Sequence, residues 1–291
     1  MTHDRPAVAV IGASGFLGST FVRIAEAAGA SCASFTRAVP FIDGSGQAAS
    51  GLRRAHTVYW LAGTITPAVA EREPDQVSAD RSALRALVDA VSALDHQPRI
   101  VLVSSGGTVY DPGVAPPYHE QSPTRPTTAY AAAKLAQEEL VLGASSRNVV
   151  VRVANAYGPG QQARRGQGVI AHWLQAAAEG RGLTVIGDPA TTRDYVHADD
   201  VANALLAIGT AERPPAVLNV GSGEPTSLDD LAKLVQAVTG DVAPIMYSEG
   251  RAVDVSHTWL DVSRAADTLG WHPVVSLTEG LEATWRAVRD R

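Results

Sequence analysis

Val8-Ala-Val-Ile11-Gly12-Ala13-Ser14-Gly15-Phe16-Leu17-Gly18 joins a short apolar run to a glycine turn. A continuous apolar run of this length reads as a strand buried on both faces. Gly12 suits a tight turn, Gly15 leaves room for a pyrophosphate, and Gly18 lets a helix pack closely on the strand. The helix patterned over Ser19–Ala28 then has backbone N–H groups facing the phosphates. The spacing is G-x-x-G-x-x-G, not the G-x-G-x-x-G of many dinucleotide sites. An ordinary strand-to-helix turn can also be rich in glycine. Its place between a first strand and a helix favours the phosphate reading.

Outward from this turn, strand and helix signals alternate. Val8–Ile11, Ser31–Phe35, Val58–Ala62, Ile100–Val103 and Val149–Val153 read as strands, and Asp80–Leu94 and Ala129–Leu142 as helices. Such alternation predicts an α/β fold with a doubly wound parallel sheet and ligands along the strand C-termini. Beyond about Gly158 the elements shorten, with Gly158-Pro-Gly160 and Arg164-Arg-Gly-Gln-Gly168 as punctuation. Residues 1–160 are expected to form the dinucleotide-binding domain. Residues 161–291 are expected to form a smaller C-terminal α/β substrate lobe, with some segments returning to the first domain.

Tyr130-Ala-Ala-Ala-Lys134 sets a phenol and an ammonium one helical turn apart. Free tyrosine titrates at ~10, too high for a good base at neutral pH, and a nearby cation favours the phenolate. Alone, the pair would suit any exposed helix. With the glycine turn it points to proton transfer at a carbonyl or alcohol beside a dinucleotide, with Tyr130 as the proton donor and Lys134 as its electrostatic helper.

Composition narrows the partners. The chain has 291 residues, 45% hydrophobic and 19% charged, enough for a large core and one or two domains. A net charge of −6 argues against nucleic acid or an acidic membrane surface. The single Cys32 excludes an intramolecular disulfide and a cysteine-rich zinc site, and reads as a small core residue. His172, His197 and His257 lack ligand spacing, so no metal is assigned. No signal peptide or bilayer-length apolar run stands out, and a soluble cytoplasmic protein is the expectation.

Further motifs follow in order: Leu61-Ala62-Gly63, Ser104-Ser105, Tyr130 and Lys134, Arg152-Val-Ala-Asn-Ala-Tyr-Gly-Pro159, Arg193-Asp-Tyr-Val-His-Ala-Asp-Asp200, Leu218-Asn-Val-Gly221 and Leu269-Gly-Trp271. With Gly12–Gly18 they run almost end to end. The chain resembles an extended short-chain dehydrogenase/reductase of the NAD-dependent epimerase/dehydratase family, a group of nucleotide-sugar enzymes. The resemblance implies a Rossmann-type cofactor domain and a C-terminal nucleotide-sugar lobe. It places Gly12, Ser14, Gly15, Phe16, Leu17, Gly18, Leu61, Ala62, Gly63, Ser104, Tyr130 and Lys134 around the cofactor, and Lys134 on the nicotinamide ribose. It counts Leu61-Ala62-Gly63 as following a fourth strand.

The catalytic segment departs from the family. Val103-Ser-Ser-Gly-Gly-Thr-Val-Tyr110 carries Gly106 where relatives usually place Ser or Thr. A hydroxyl is needed to polarise the substrate oxygen, and Ser105, Thr108 or a bound water is expected to replace it. Simple strand-end polarity is a competing reading for Ser104. Dehydratase relatives resemble T-D-E here, and Gly106-Gly107-Thr108 supplies neither carboxylate. Trp60 stands for a usual histidine, and Asp80 for a usual asparagine.

NAD-specific relatives end the second strand with an acid for the ribose hydroxyls. Here Thr36 and Arg37 stand there, and a guanidinium suits a 2′-phosphate. NADP(H) is therefore favoured, with NAD the alternative. Asp43 resembles the aspartate that meets the adenine amine. NADP(H) shifts weight toward a net 4-ketoreductase of a nucleotide-linked keto-deoxy sugar. A 4-epimerase that recycles NAD is the alternative, and a non-catalytic NADPH-binding regulator is the alternative of another class. For the nucleotide-diphosphate sugar, the resemblance offers Asn155, Val169, Arg193, Arg251 and Asp254. It gives Glu120 a local structural or gating role. Asp199-Asp200 is expected to cap a helix over Val201–Ile208. Relatives often form homodimers, which here would use the helices Asp80–Leu94 and Ala129–Leu142.

Overall fold

The computed structural model describes residues 7–63, 65–163, 168–240, 243–249 and 257–290. Its N-terminal half begins β1 (Ala7–Ile11), α1 (Phe16–Ala27), β2 (Ser31–Phe35), α2 (Ser50–Arg54), β3 (Thr57–Trp60), α3 (Pro67–Arg72), α4 (Pro74–Ser92) and β4 (Arg99–Ser105). It continues with α5 (Ala129–Ala144), β5 (Val149–Val153), β6 (Asn155–Tyr157), α6 (Val169–Ala178), β7 (Thr184–Ile186), β8 (Thr192–His197) and α7 (Ala198–Thr210). The remainder is β9 (Val217–Val220), β10 (Pro225–Ser227), α8 (Leu228–Thr239), β11 (Met246–Ser248), β12 (His257–Thr258), α9 (Ser263–Leu269) and α10 (Leu277–Arg289).

Six parallel strands form the main sheet in the order β2-β1-β3-β4-β5-β9. The chain leaves β1 toward β2 and then returns to β3 on the other side of β1. Ile11 therefore pairs with both Phe35 and Trp60. This reversal opens a crevice at the strand C-termini, where doubly wound folds bind ligands. Valine-rich β5 is buried throughout, as a central parallel strand requires. One face of the sheet packs on α1 and α7, through Phe21, Ala25, Val201 and Leu205. The other packs on α2, α4 and α5, through Leu52, Leu84, Leu87 and Val141.

Several boundaries differ from the sequence reading. The strand expected over Val58–Ala62 ends at Trp60: Leu61 N–H makes the last ladder bond, to the Ile11 carbonyl at 2.9 Å, and β1 turns away at Gly12. It is the third strand of the chain, not the fourth. Phe41-Ile42 supplies only an isolated bridge, Ile42 to Ala48, and β2 remains the sheet edge. The helix expected from Asp80 begins at Pro74, a residue whose missing N–H costs nothing in a first helical turn. Cys32 is partly exposed rather than fully buried, and its desolvation pushes the thiol up to about 11. The cap of α7 is His197, whose Nδ1 accepts from Asp199 N–H at 3.2 Å. Asp199 and Asp200 instead lie in the first turn, where their charge complements the helix dipole.

Beyond Gly158, β9 returns to the main sheet, where it pairs with β5. A smaller sheet, β10-β8-β12, with β6 also paired to β8, lies under a separate core. That core draws Trp173 and Leu174 from α6, Leu231 and Val235 from α8, and Leu281 from α10.

Candidate active site

The β1–α1 turn is built by contact. Gly12 has φ +89°, and a Cβ there would stand 2.6 Å from Ala62 N. A Cβ on Gly18 would run into the Gly12 carbonyl oxygen. Gly12 and Ala13 N–H both donate to the Phe35 carbonyl, at 2.9 and 3.2 Å, which ties this turn to the end of β2. Gly15 is the N-cap of α1 and supplies no side-chain cap, so the helix opens on backbone alone. Ser14 and Gly15 are exposed, and Phe16 and Leu17 half-buried. This glycine cradle at a bare helix start fits a dinucleotide pyrophosphate. Across it, Leu61 and Ala62 are half-buried, and Gly63 faces open space.

At the end of β2, Thr36 Oγ1 accepts from Ala38 and Val39 N–H, each at 3.2 Å. Arg37 is exposed and makes no hydrogen bond or ion pair among the described residues. Asp43 Oδ1 accepts from Ser45 Oγ at 2.6 Å, Ser45 N–H at 2.9 Å and Gln47 N–H at 3.1 Å. These bonds, the Ser45 hydroxyl first, hold its carboxyl below the usual range.

Helix α5 carries Tyr130 and Lys134 along the end of β4. Thr128 caps it, and Glu71 of α3 also accepts, at 3.0 Å, from Ala129 N–H. Lys134 is buried. Its Nζ donates to the Val103 carbonyl at 3.4 Å and to Gln137 Oε1 at 3.3 Å, and stands 5.9 Å from the Tyr130 ring centroid. Tyr130 itself is half-buried.

Ser104 and Ser105 part company. Buried Ser104 donates to Glu138 Oε1 at 2.5 Å. Glu138 in turn receives the Arg152 fork, at 2.7 Å from Nη2 and 3.2 Å from Nε. The guanidinium lies 4.9 Å from the Tyr110 ring, whose hydroxyl donates to Asn219 at 2.6 Å. The Ser104 hydroxyl is thus held within a buried polar network. Ser105, half-buried, ends β4. Thr108 Oγ1 is buried with no hydrogen-bond partner among the described residues, the state of a hydroxyl in want of one. Gly106 is hemmed in: a Cβ there would stand 2.6 Å from Leu260 Cδ1. The space that a side chain at Gly106 would need is therefore taken by Leu260.

In the smaller lobe, Asn155 on β6 donates to the Asp194 carbonyl on β8 at 3.0 Å. A Cβ on Gly107 would stand 4.0 Å from the Asn155 amide nitrogen. Arg193, half-buried on β8, donates to the Thr192 carbonyl at 2.8 Å. Val169 opens α6 after Gly168, at φ +77°. Arg251 and Asp254 lie outside the described residues. Glu120 accepts from Asn219 N–H at 2.9 Å and pairs with Arg264 at 3.5 Å, which pins β9. Trp60 is buried, with its Nε1 unpartnered among the described residues.

Sequence reasoning missed Gln137, Glu138, Leu260 and Asp194. Glu138 had a usable signal, lying one turn beyond Lys134 on the same helix face. Asp194 is buried and accepts from Ser222 Oγ and N–H, both at 2.7 Å, and from Gly223 and Leu260 N–H. Desolvation still pushes its carboxyl up.

The family described as the NAD dependent epimerase/dehydratase family matches residues 8–221. A UDP-glucose 4-epimerase of Mycolicibacterium smegmatis is 35% identical over 66% of this chain, which spans 63% of that relative's length. A dTDP-6-deoxy-L-talose 4-dehydrogenase (NAD(P)(+)) of Kitasatospora kifunensis is 30% identical over 98% of the chain and 96% of its own length. The solved UDP-glucose 4-epimerase of Thermotoga maritima, with UDP-glucose, superposes with a TM-score of 0.86 at 26% identity, covering 97% of this chain and 98% of that one. No helix of the described residues is long and apolar enough to cross a membrane.

Proposed function

The chain belongs to the NAD dependent epimerase/dehydratase family, and on that premise we propose that it is an NADP(H)-dependent reductase of a nucleotide-linked 4-keto sugar. The observation that carries the cofactor choice is the end of β2. Thr36 turns its hydroxyl into its own loop, no carboxylate follows Phe35, and Arg37 is left exposed without a partner among the described residues. An acid there would accept from ribose hydroxyls, whereas a guanidinium meets a 2′-phosphate with charge-assisted bonds. The near-full-length likeness to a 4-dehydrogenase that takes NAD(P)(+) supports net oxidoreduction over recycling.

When bound, the nicotinamide supplies or accepts a hydride. The chain's residues manage the proton. Tyr130 donates its phenolic proton to the carbonyl oxygen as the carbon is reduced, and Lys134 stabilises the phenolate left behind. Thr108 is the group best suited to polarise that oxygen, because its buried hydroxyl lacks a protein partner among the described residues. Ser105 is its neighbour in the role. Asn155 and Arg193, on adjacent strands, are assigned to the sugar and the diphosphate, with Arg251 as a second arginine, Asp254 on the nucleotide ribose and Val169 beside the substrate. A homodimer through α4 and α5, which lie side by side on one face of the sheet, belongs to the same reading.

Gentle denaturation followed by mass spectrometry of the released dinucleotide tests the proposal. An empty site that binds NADPH tightly and NADH weakly supports the reductase. Retained NAD would instead indicate a 4-epimerase that keeps its hydride.

A further inference from the structure

Lys134 is buried, and so are two side chains linked to it. Gln137 is 1% exposed and Asp80 6%. Gln137 Oε1 accepts from Lys134 Nζ at 3.3 Å, and Gln137 Nε2 donates to Asp80 Oδ2 at 2.7 Å. Asp80 comes from α4, Gln137 and Lys134 from α5. Glu138, the buried carboxylate of α5, is committed to Arg152 and Ser104.

The bond polarity matters. A primary amide presents a donor on one side and an acceptor on the other, and a half-turn exchanges them. An ionised carboxylate only accepts, and an ammonium only donates. Set between the two, Gln137 has one satisfactory orientation: nitrogen toward Asp80, oxygen toward Lys134. An asparagine at position 80 could either donate or accept, so Lys134 alone would then orient the amide, whereas the carboxylate fixes it from the second side as well. A buried ammonium also needs an anion nearby, and this chain of bonds connects one to it.

We infer that Asp80 and Gln137 are positioning residues for Lys134: the carboxylate fixes the amide, and the amide holds the ammonium where it serves Tyr130 and the nicotinamide ribose. The inference rests on the role proposed above for Lys134. It assigns a purpose to Asp80, where the family pattern has asparagine, and to Gln137, which no motif singled out.

Charge relocation tests it through NADPH fluorescence titration, with melting curves recorded without cofactor as a folding control. Gln137→Leu removes both bonds. Gln137→Glu sets a second carboxylate against Asp80. Asp80→Asn/Gln137→Glu moves the charge one step along the chain: the introduced amide donates to the introduced carboxylate, which also accepts from Lys134. The two single variants are expected to weaken NADPH binding about tenfold or more. The double variant is expected to return to within about threefold of the wild type. If Gln137→Leu fails to fold, the comparison of Gln137→Glu with the double variant decides. A double variant that melts like the wild type but binds no better than Gln137→Glu overturns the inference. So does unchanged binding in Gln137→Leu. In that last case Lys134→Met separates the causes. Its loss of binding leaves the reading of Lys134 standing, and its unchanged binding removes that reading too.

Discussion

Leu260 stands in the space that any side chain at position 106 would enter, its Cδ1 2.6 Å from where a Cβ on Gly106 would lie. Leu260 is 1% exposed and packs with Val109, Tyr110 and Tyr118, so it has little room to yield. Restoring the family's hydroxyl as Gly106→Ser is therefore expected to destabilise the fold, by about 1–3 kcal/mol as overpacked cores do. Urea denaturation measures this. An unchanged midpoint would mean that Leu260 moves aside freely.

Tyr130→Phe keeps the ring and loses the proton. In the proposed reading the β1–α1 turn is the main cradle of the cofactor, so NADPH affinity is expected to stay within about threefold of the wild type. Turnover is expected to fall by about 10²–10⁴, the usual worth of a positioned general acid. Full activity in this variant would remove Tyr130 from the chemistry.

Arg37→Ala removes the exposed guanidinium beyond β2. Charge-assisted bonds of this kind predict a loss of about tenfold or more in NADPH affinity with little change for NADH. Parallel fluorescence titrations of the two cofactors check it. Equal losses for both would point to adenine stacking and not to a 2′-phosphate.

His197 gives the fold an acid-sensitive joint. Its Nδ1 accepts from Asp199 N–H as the cap of α7, a role only the unprotonated nitrogen can fill. Burial first of all holds its pKa below the ordinary 6.5, against the opposing pull of Asp199 and Asp200. A depressed folded-state value means that its contribution is present above 6.5. That contribution is lost as pH falls from there through the folded-state value. Between about pH 7.5 and about pH 5.5, wild-type stability should drop more than that of His197→Asn, by about 1 kcal/mol, the worth of a cap. Equally steep loss in both proteins would contradict this.

The parts legible in the sequence share one property: their signal is local. Val8–Gly18 announces strand, turn and helix within eleven consecutive residues, and the structure gives β1, the turn and α1 in that order. Tyr130 and Lys134 are linked by helical spacing alone. What escaped depends on contacts across the chain. The space at Gly106 is filled by Leu260 from the far end, and Asp80 meets Gln137 only because α4 lies against α5. The cap of α7 fell to His197 because the helix starts earlier than its apolar residues suggest, at Ala198. Ser104 and Ser105 look alike in the sequence, but strand alternation sends the first to Glu138.

The most direct test supplies NADPH carrying deuterium at the transferable position, together with a nucleotide-linked 4-keto-6-deoxy sugar. The reductase reading predicts that cofactor is consumed in step with substrate and that the deuterium appears at sugar C4. Epimerisation of a nucleotide sugar with tightly held NAD, no consumption of NADPH and no deuterium in the product would contradict it.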